Sequence, residues 1–406
     1  MQATVVAEAD RTLSLLERMV NQNSGSQNPD GVEKVAQQVR AELEPLGFAV
    51  RWFPLRETGR AGHLVATHSG RKGTRKLLLI GHLDTVFEPD SSFQRWVRDG
   101  DRGHGPGAAD NKGGVAVMIA ALRAMQAAGT LRQANVTVFL TGDEEDPGTP
   151  QSLARRDLVA AGKVADVALD FEGLAQENGR DMGSIARRSV TDWQLTIRAR
   201  SAHSSGVFSS SGFGANYELA RIVDSFRREL SEPSLTYNVG LIAGGTTARF
   251  GPGGIRAEVT GKTNIIAGEA VARGDLRALS QEQIARAMAR MQAILAKSLP
   301  GTLEARLTFE DGYPPMAPTA GNRALLDRLN AVNRDLALPP MDALDPLKRG
   351  AGDISFVAAD VDGLVGLGPA SSGDHTDAER VDIPSISRQA TRAAILMSRL
   401  VRERPQ

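Results

Sequence analysis

Cysteine is absent from the 406 residues, which removes a thiol nucleophile, a thiolate metal ligand and any disulfide framework. Net charge is missing too: 48 Lys and Arg balance 48 Asp and Glu, and no basic stripe offers nucleic acid a footprint. Aromatic residues make up only 4% of the chain, leaving little with which to stack bases. No apolar run approaches the roughly twenty residues needed to span a bilayer. Neither nucleic acid nor membrane is therefore an expected partner; a small molecule or peptide is. A Gly-x-Ser-x-Gly elbow is lacking, which argues against a serine hydrolase. The start, Met1-Gln-Ala-Thr-Val, lacks the basic and apolar regions of a signal peptide. Such a start fits a cytoplasmic chain, or a periplasmic or secreted one whose leader has been removed.

What is present is a set of acidic and histidine-bearing turns. The length allows one large domain or two moderate ones with ample core. Gly105-Pro-Gly-Ala-Ala-Asp110-Asn-Lys-Gly-Gly114 holds one carboxylate in a glycine-dense turn just before Val115–Leu122, an apolar run that reads as a helix. Gly-Lys here has no following Ser or Thr, so the phosphate-loop pattern fails. Upstream, Lys76-Leu-Leu-Leu-Ile80 reads as a strand buried on both faces that ends in Gly81-His82-Leu83-Asp84-Thr85. Ligands bind at the carboxyl ends of strands in open α/β sheets, and alternation sets His82 and Asp84 on one side. Val136–Leu140 runs into Asp143-Glu144-Glu145-Asp146, Val167–Asp170 into Phe171-Glu172-Gly173, and a further turn carries Asp374-His375-Thr376-Asp377.

Histidine with carboxylate suits zinc and similar divalent ions. Two metals sharing one carboxylate need about five protein ligands, and His82, Asp110, Glu145, Glu172 and His375 supply that number. Glu144, next to a ligand but not needed as one, is left to take a proton from water at the metals. Any one acidic strand end taken alone is more simply a solvated loop. Five ending strands of a single sheet are harder to explain that way. His63 and His68 read as strand residues facing solvent or a neighbour, and His104 lies nearer the proposed centre.

Along the chain, Val5–Met19 and Val32–Leu43 carry helical apolar spacing, and Phe48–Phe53 and His63–His68 alternate as strands. The character changes near Arg187. Strand Ser189–Arg198, helix Gly214–Leu230, strands Tyr237–Ala243 and Glu269–Leu279, a helix opened by the capping box Ser280-Gln-Glu-Gln283 and reaching about Leu299, and strand Leu303–Phe309 follow. That β-α-β-β-α-β order is ferredoxin-like. Helical patterning resumes at Asn322, a helix is expected around Phe356 and Val357, and a last one over Ser385–Val401.

These motifs in this order resemble the co-catalytic zinc metallopeptidase family that contains bacterial glutamate carboxypeptidase, acetylornithine deacetylase, succinyl-diaminopimelate desuccinylase and aminoacylase. Phe171-Glu172 and Asp374–Ile383 place the chain nearest the glutamate carboxypeptidase branch. The resemblance implies a mixed-sheet α/β catalytic domain with helices on both faces, over 1–187 and 312–406, interrupted at 188–311 by an inserted α+β ferredoxin-like lid through which homodimers form. It implies two divalent ions, zinc being expected, bridged by Asp110 roughly 3.5–4 Å apart. His82 and Glu172 then serve one ion and Glu145 and His375 the other, with Asp84 fixing the His82 tautomer. His203, in Ser201-Ala-His-Ser-Ser205, matches the family's oxyanion-stabilising histidine. Arg277 and Asn264 match its substrate contacts. The implied activity is a carboxypeptidase acting on small peptides; the alternatives are an aminoacylase or deacylase acting on N-acyl amino acids, and an inactive metal-binding dimeric scaffold. Two positions depart from the pattern. Ala267 replaces a proline after Asn-Ile-Ile, and Phe309–Tyr313 lacks the basic residue of the glutamate-specific branch.

Overall fold

The computed structural model describes residues 1–403, which divide into two compact units. One comprises Met1–Ala186, Ala317–Lys348 and the chain from Gly352; the other Arg187–Met316 with Arg349–Ala351.

The first unit is built on a six-stranded mixed sheet in the order Ala49–Pro54, Gly62–His68, Asn135–Thr141, Lys76–His82, Val167–Asp170, Gly363–Val365. The last four are mutually parallel, and the first two form an antiparallel edge. Lys76–His82 sits inside the parallel set and is buried at every position after Lys76, as its unbroken apolar run requires. Because the four run the same way, their carboxyl ends fall on one edge: His82 pairs with Thr141 and Ile80 with Asp170. Helix Lys112–Ala127 is buried continuously from Lys112 to Met125. It packs on helices Ala9–Val20 and Ile383–Arg402 and on strand Lys76–His82. Leu15, Met19, Val117, Met118, Leu79 and Leu396 share its core.

The expected first helix is interrupted: Glu8, at φ −101 and ψ 12, separates Gln2–Ala7 from Ala9–Val20. The segment expected to be helical around Phe356 and Val357 is a single 3₁₀ turn, Asp353–Phe356, whose Asp353 side chain accepts from Thr141 and Arg155. His375 does not end a strand of the central sheet. It lies between Ser371–Ser372 and Arg380–Asp382, two strands of a separate four-stranded sheet that also takes in Arg102–His104.

The second unit is an antiparallel sheet ordered Thr236–Tyr237, Glu269–Arg277, Thr191–Ala199, Thr302–Phe309, with Leu241–Gly245 also pairing Glu269–Arg277. Its first strand, Thr191–Ala199, thus lies between its last and Glu269–Arg277, the ferredoxin-like order once Thr236–Tyr237 and Leu241–Gly245 count as one strand. Thr191–Ala199 alternates buried and more accessible positions, its buried Trp193, Leu195 and Ile197 meeting helices Ala215–Glu229 and Gln281–Leu295 through Phe226, Ile222 and Met291. The expected strand Tyr237–Ala243 divides into two around Asn238–Gly240, where the backbone crowds Gly274: a Cβ there would lie 1.7 Å from the Asn238 carbonyl. The helix after Ser280 ends at Leu295 rather than near Leu299. At its start Ser280 accepts from the Gln283 N–H, while the Gln283 side chain reaches past the cap to the Leu279 N–H.

Candidate metal centre

Five segments, carrying His82, Asp110, Glu145, Glu172 and His375, converge at the carboxyl edge of the parallel strands. His82 terminates its strand with Nε2 directed at Asp110 Oδ1, 3.0 Å away, and Glu172 Oε1, 3.3 Å away. Its other nitrogen, Nδ1, lies 3.1 Å from the Asp84 carbonyl and 3.3 Å from Asp84 Oδ1. One imidazole nitrogen therefore faces the cluster and the other is anchored, the arrangement that fixes a ligating tautomer. On the far side His375, whose backbone is left-handed at φ 62, sets Nε2 at 3.2 Å from Asp110 Oδ2 and 3.2 Å from Glu145 Oε2. Asp110 thus presents one oxygen to each histidine.

The loop that presents Asp110 is organised by groups that the sequence reading did not assign. Glu379, buried, accepts backbone N–H groups from Gly107, Ala109 and Asp110 at 3.0 to 3.3 Å. Asn111 follows Asp110 through a cis peptide. Its side chain accepts from the His82 N–H and donates to the Phe171 carbonyl, joining two strand ends. Gly114 permits the close approach of helix Lys112–Ala127 to the strand end bearing Glu172: a Cβ there would lie 1.9 Å from the Phe171 carbonyl oxygen. Asp84 holds the opposite wall. Its Oδ1 accepts the Glu144 N–H and its Oδ2 the Glu145 N–H, both at 3.0 Å, and Oδ2 also accepts the Ser26 hydroxyl at 2.6 Å. The signals for Glu379 and Ser26 were slight: an acidic residue four positions after His375, and a polar Asn23–Asn28 stretch between two helices.

The donor set passes a chemical test for divalent ions. His82, Asp110 and Glu172 bring ligand atoms within 4.8 Å of one another, as do Asp110, Glu145 and His375, and His82, Glu144 and Glu145. These are nitrogen and oxygen donors suited to zinc and similar ions. The electrostatics show a deficit of positive charge. Hydrogen bonds to Asp110 and Glu145 push His375 up to about 11, against the opposing effect of burial. Burial opposes protonation of His82, yet hydrogen bonds to Asp110, Asp84 and Glu172 outweigh it and hold its pKa well above the usual imidazole value. Burial pushes Glu145 up to about 7. Burial also holds Glu144 well above the usual carboxylate range, with the neighbouring Glu172, Asp353 and Glu145 charges adding to it. Asp110 goes the other way, because the His375 and His82 hydrogen bonds overcome the cost of its burial. Carboxylates thus outnumber cationic side chains in the cluster, a setting in which divalent ions would be held.

The remaining histidines of this unit do other work. His63 is buried, with Nε2 at 2.7 Å from the Ala154 carbonyl, and His68 Nδ1 meets the Ala134 carbonyl at 2.9 Å. His104, half-buried in strand Arg102–His104, belongs to none of the three ligand groups. In the second unit His203 caps a 3₁₀ turn, its Nδ1 bonded to the Ser205 hydroxyl and N–H. Asn264 accepts the Ser204 N–H through its main-chain carbonyl. Arg277 is paired with Asp275, Nε to Oδ2 at 2.6 Å.

Comparison with known proteins agrees with this chemistry. The family model described as peptidase family M20/M25/M40 matches residues 78–399. Carboxypeptidase G2 of Pseudomonas sp. (strain RS-16) is 26% identical over 397 residues, covering 96% of this chain and 89% of that protein. Succinyl-diaminopimelate desuccinylase of Variovorax paradoxus (strain S110) is 25% identical over 399 residues, covering 93% of this chain and 94% of that protein. Among solved structures, the Bacillus subtilis YXEP protein, a dinuclear metal-binding peptidase of the same family, superposes with a TM-score of 0.66 at 13% identity, covering 97% of this chain and 99% of that one. The chain belongs to peptidase family M20/M25/M40 and is a metal-dependent hydrolase.

Proposed function

We propose that the chain cleaves an amide bond next to a C-terminal amino acid, with Glu144 as the general base. The observation that carries this reading is Asp110, one oxygen toward each of two histidines at 3.0 and 3.2 Å, with Glu172 beside one histidine and Glu145 beside the other. That symmetry is what a pair of ions sharing one carboxylate requires. His82, Asp110 and Glu172 would hold one ion and Asp110, Glu145 and His375 the other. When bound, such ions supply Lewis acidity toward a substrate carbonyl and toward water.

The chain's own residues do the rest. Glu144 takes a proton from the attacking water on its carboxylate oxygen and returns it to the amide nitrogen as the C–N bond breaks, so that amide plus water give a carboxylic acid and an amine. Its burial favours holding that proton between the two steps. Asp84 keeps the His82 ring oriented and fixes the backbone from which Glu144 projects. For His203 we propose oxyanion stabilisation, and for Arg277 and Asn264 capture of the substrate's polar groups, a guanidinium being suited to a carboxylate. Lid closure and dimerisation through the second unit are part of the same proposal.

Glu144→Gln tests it. Bound metal should stay at two ions per chain while turnover falls by about 10²-fold or more; a variant that keeps the parent rate removes Glu144 as base. The desuccinylase relative favours a second reading, hydrolysis of N-acyl amino acids. Dipeptides with varied C-terminal residues assayed against N-acyl amino acids separate the two.

A further inference from the structure

Behind the loop that carries Glu144 lies a second cluster of buried charge that contributes no candidate metal ligand. The side chains of Arg155, Asp143 and Asp353 are 1%, 0% and 3% exposed. Arg155 Nη1 donates to Asp143 Oδ1 at 2.6 Å, Nη2 to the Asp143 carbonyl at 2.8 Å, and Nε to Asp353 Oδ1 at 2.8 Å. The Thr141 hydroxyl donates to Asp353 Oδ2. Asp143 Oδ2 accepts the Gly148 N–H at 2.8 Å, closing the loop across its own base. The guanidinium also lies 5.5 Å from the centre of the Phe356 ring.

This arrangement acts on one peptide group. The bond joining Asp143 to Glu144 has its carbonyl held by Arg155 Nη2 and its N–H held by Asp84 Oδ1 at 3.0 Å. Held at both ends, that plane is restrained against rotation, and its orientation sets the direction in which the Glu144 side chain leaves the backbone. A buried ion cluster is weak evidence of a stabilising role, since well-packed apolar residues often serve stability equally well. A guanidinium fork that holds a main-chain carbonyl and two carboxylates at once imposes a geometry that a hydrophobic filler cannot.

We propose that Arg155, braced by Asp353 and Thr141, is a positioning residue for Glu144, fixing the Asp143–Glu144 peptide plane from the side opposite Asp84. The inference rests on the assignment of Glu144 as base. Misplacing such a group by about 1 Å can cost on the order of 10²-fold in rate.

The test compares the metal-loaded parent with Arg155→Lys, Thr141→Val and Glu144→Gln on one N-acyl amino acid or dipeptide that the parent hydrolyses. Lysine keeps the charge and loses the fork; valine keeps the shape and loses one hydrogen bond. Arg155→Lys should retain both ions and lower kcat by roughly 10- to 100-fold, with KM within about twofold. Thr141→Val should lower kcat a fewfold in the same pattern. Combined with Glu144→Gln, either variant should cost little further, because both act through the same carboxylate. A folded Arg155→Lys with the parent kcat, or losses that simply multiply with those of Glu144→Gln, would overturn the inference. Should Arg155→Lys fail to fold, Thr141→Val decides alone: a folded variant at the parent rate overturns it. Undiminished turnover by Glu144→Gln removes the base assignment itself, a result distinct from a null effect at Arg155.

Discussion

Asp84 takes no place among the candidate ligand groups, yet it has more work to do than any of them. Four donors converge on its two oxygens: the Glu144 and Glu145 N–H groups, the Ser26 hydroxyl and the His82 ring nitrogen. A carboxylate offers about four lone-pair sites, so none is spare. Asp84→Asn must turn an amide NH₂ toward one of these donors and lose an acceptor. Metal affinity is expected to fall by roughly 10- to 100-fold, read by titrating the metal-stripped protein with zinc. The candidate ligands were legible because histidine and carboxylate terminate short apolar runs or sit in glycine-dense turns, where sequence pattern and ligand chemistry coincide. Asn111, Ser26 and Glu379 were not, because each acts by bonding a group distant in sequence: Glu379 reaches back 272 positions to the Gly107 N–H. No local pattern marks such a partnership.

At the level of elements, the core strand Lys76–His82 and the buried helix Lys112–Ala127 were plain from their unbroken apolar runs. The hairpin Thr247–Phe250 with Ala257–Thr260 was missed, since both strands are short and largely exposed and carry no apolar stripe. Glycine at 114 lets that helix begin against the end of strand Val167–Asp170. Gly114→Ala is expected to push apart the Asp110 and Glu172 segments, lowering zinc affinity in the same titration and costing about 2 kcal/mol or more in urea unfolding. Helix Pro29–Leu43 is pinned through Glu42, which pairs with Arg123, Arg11 and Arg18. Burial works against the Glu42 charge, but Arg123 and then Arg11 outweigh it and hold its pKa below 4.5. A pKa lowered by folding stabilises above the unfolded value, and that contribution disappears as pH falls through the folded one. Glu42→Gln should therefore be less stable than the parent at pH about 7, with the difference narrowing toward pH about 3, in urea unfolding at both.

For the whole molecule, every candidate ligand belongs to the first unit. Metal should therefore stabilise that unit. With free ion at about 1,000 times its dissociation constant, each site adds roughly 4 kcal/mol. Chelation is expected to abolish hydrolysis and lower the melting temperature of the transition that belongs to this unit. Re-adding zinc, manganese or cobalt should restore both, the fastest turnover identifying the preferred ion. Among the described residues no helix is long and apolar enough to cross a membrane. At this scale the sequence showed a change of character near Arg187 but not that Arg349–Ala351 would join the inserted unit, because three residues carry too little pattern to reveal which core they serve.

The ligand set opens at His82 and closes at His375, with the inserted unit between. During synthesis a ribosome-bound chain that has released everything through Met316 already displays His82, Asp110, Glu145 and Glu172, yet it lacks the histidine on the far side of Asp110 and the Glu379 that shapes the loop. Termination before His375 would accordingly leave a polypeptide without the far-side histidine and unable to assemble a competent catalyst, so hydrolytic power arrives only late in translation.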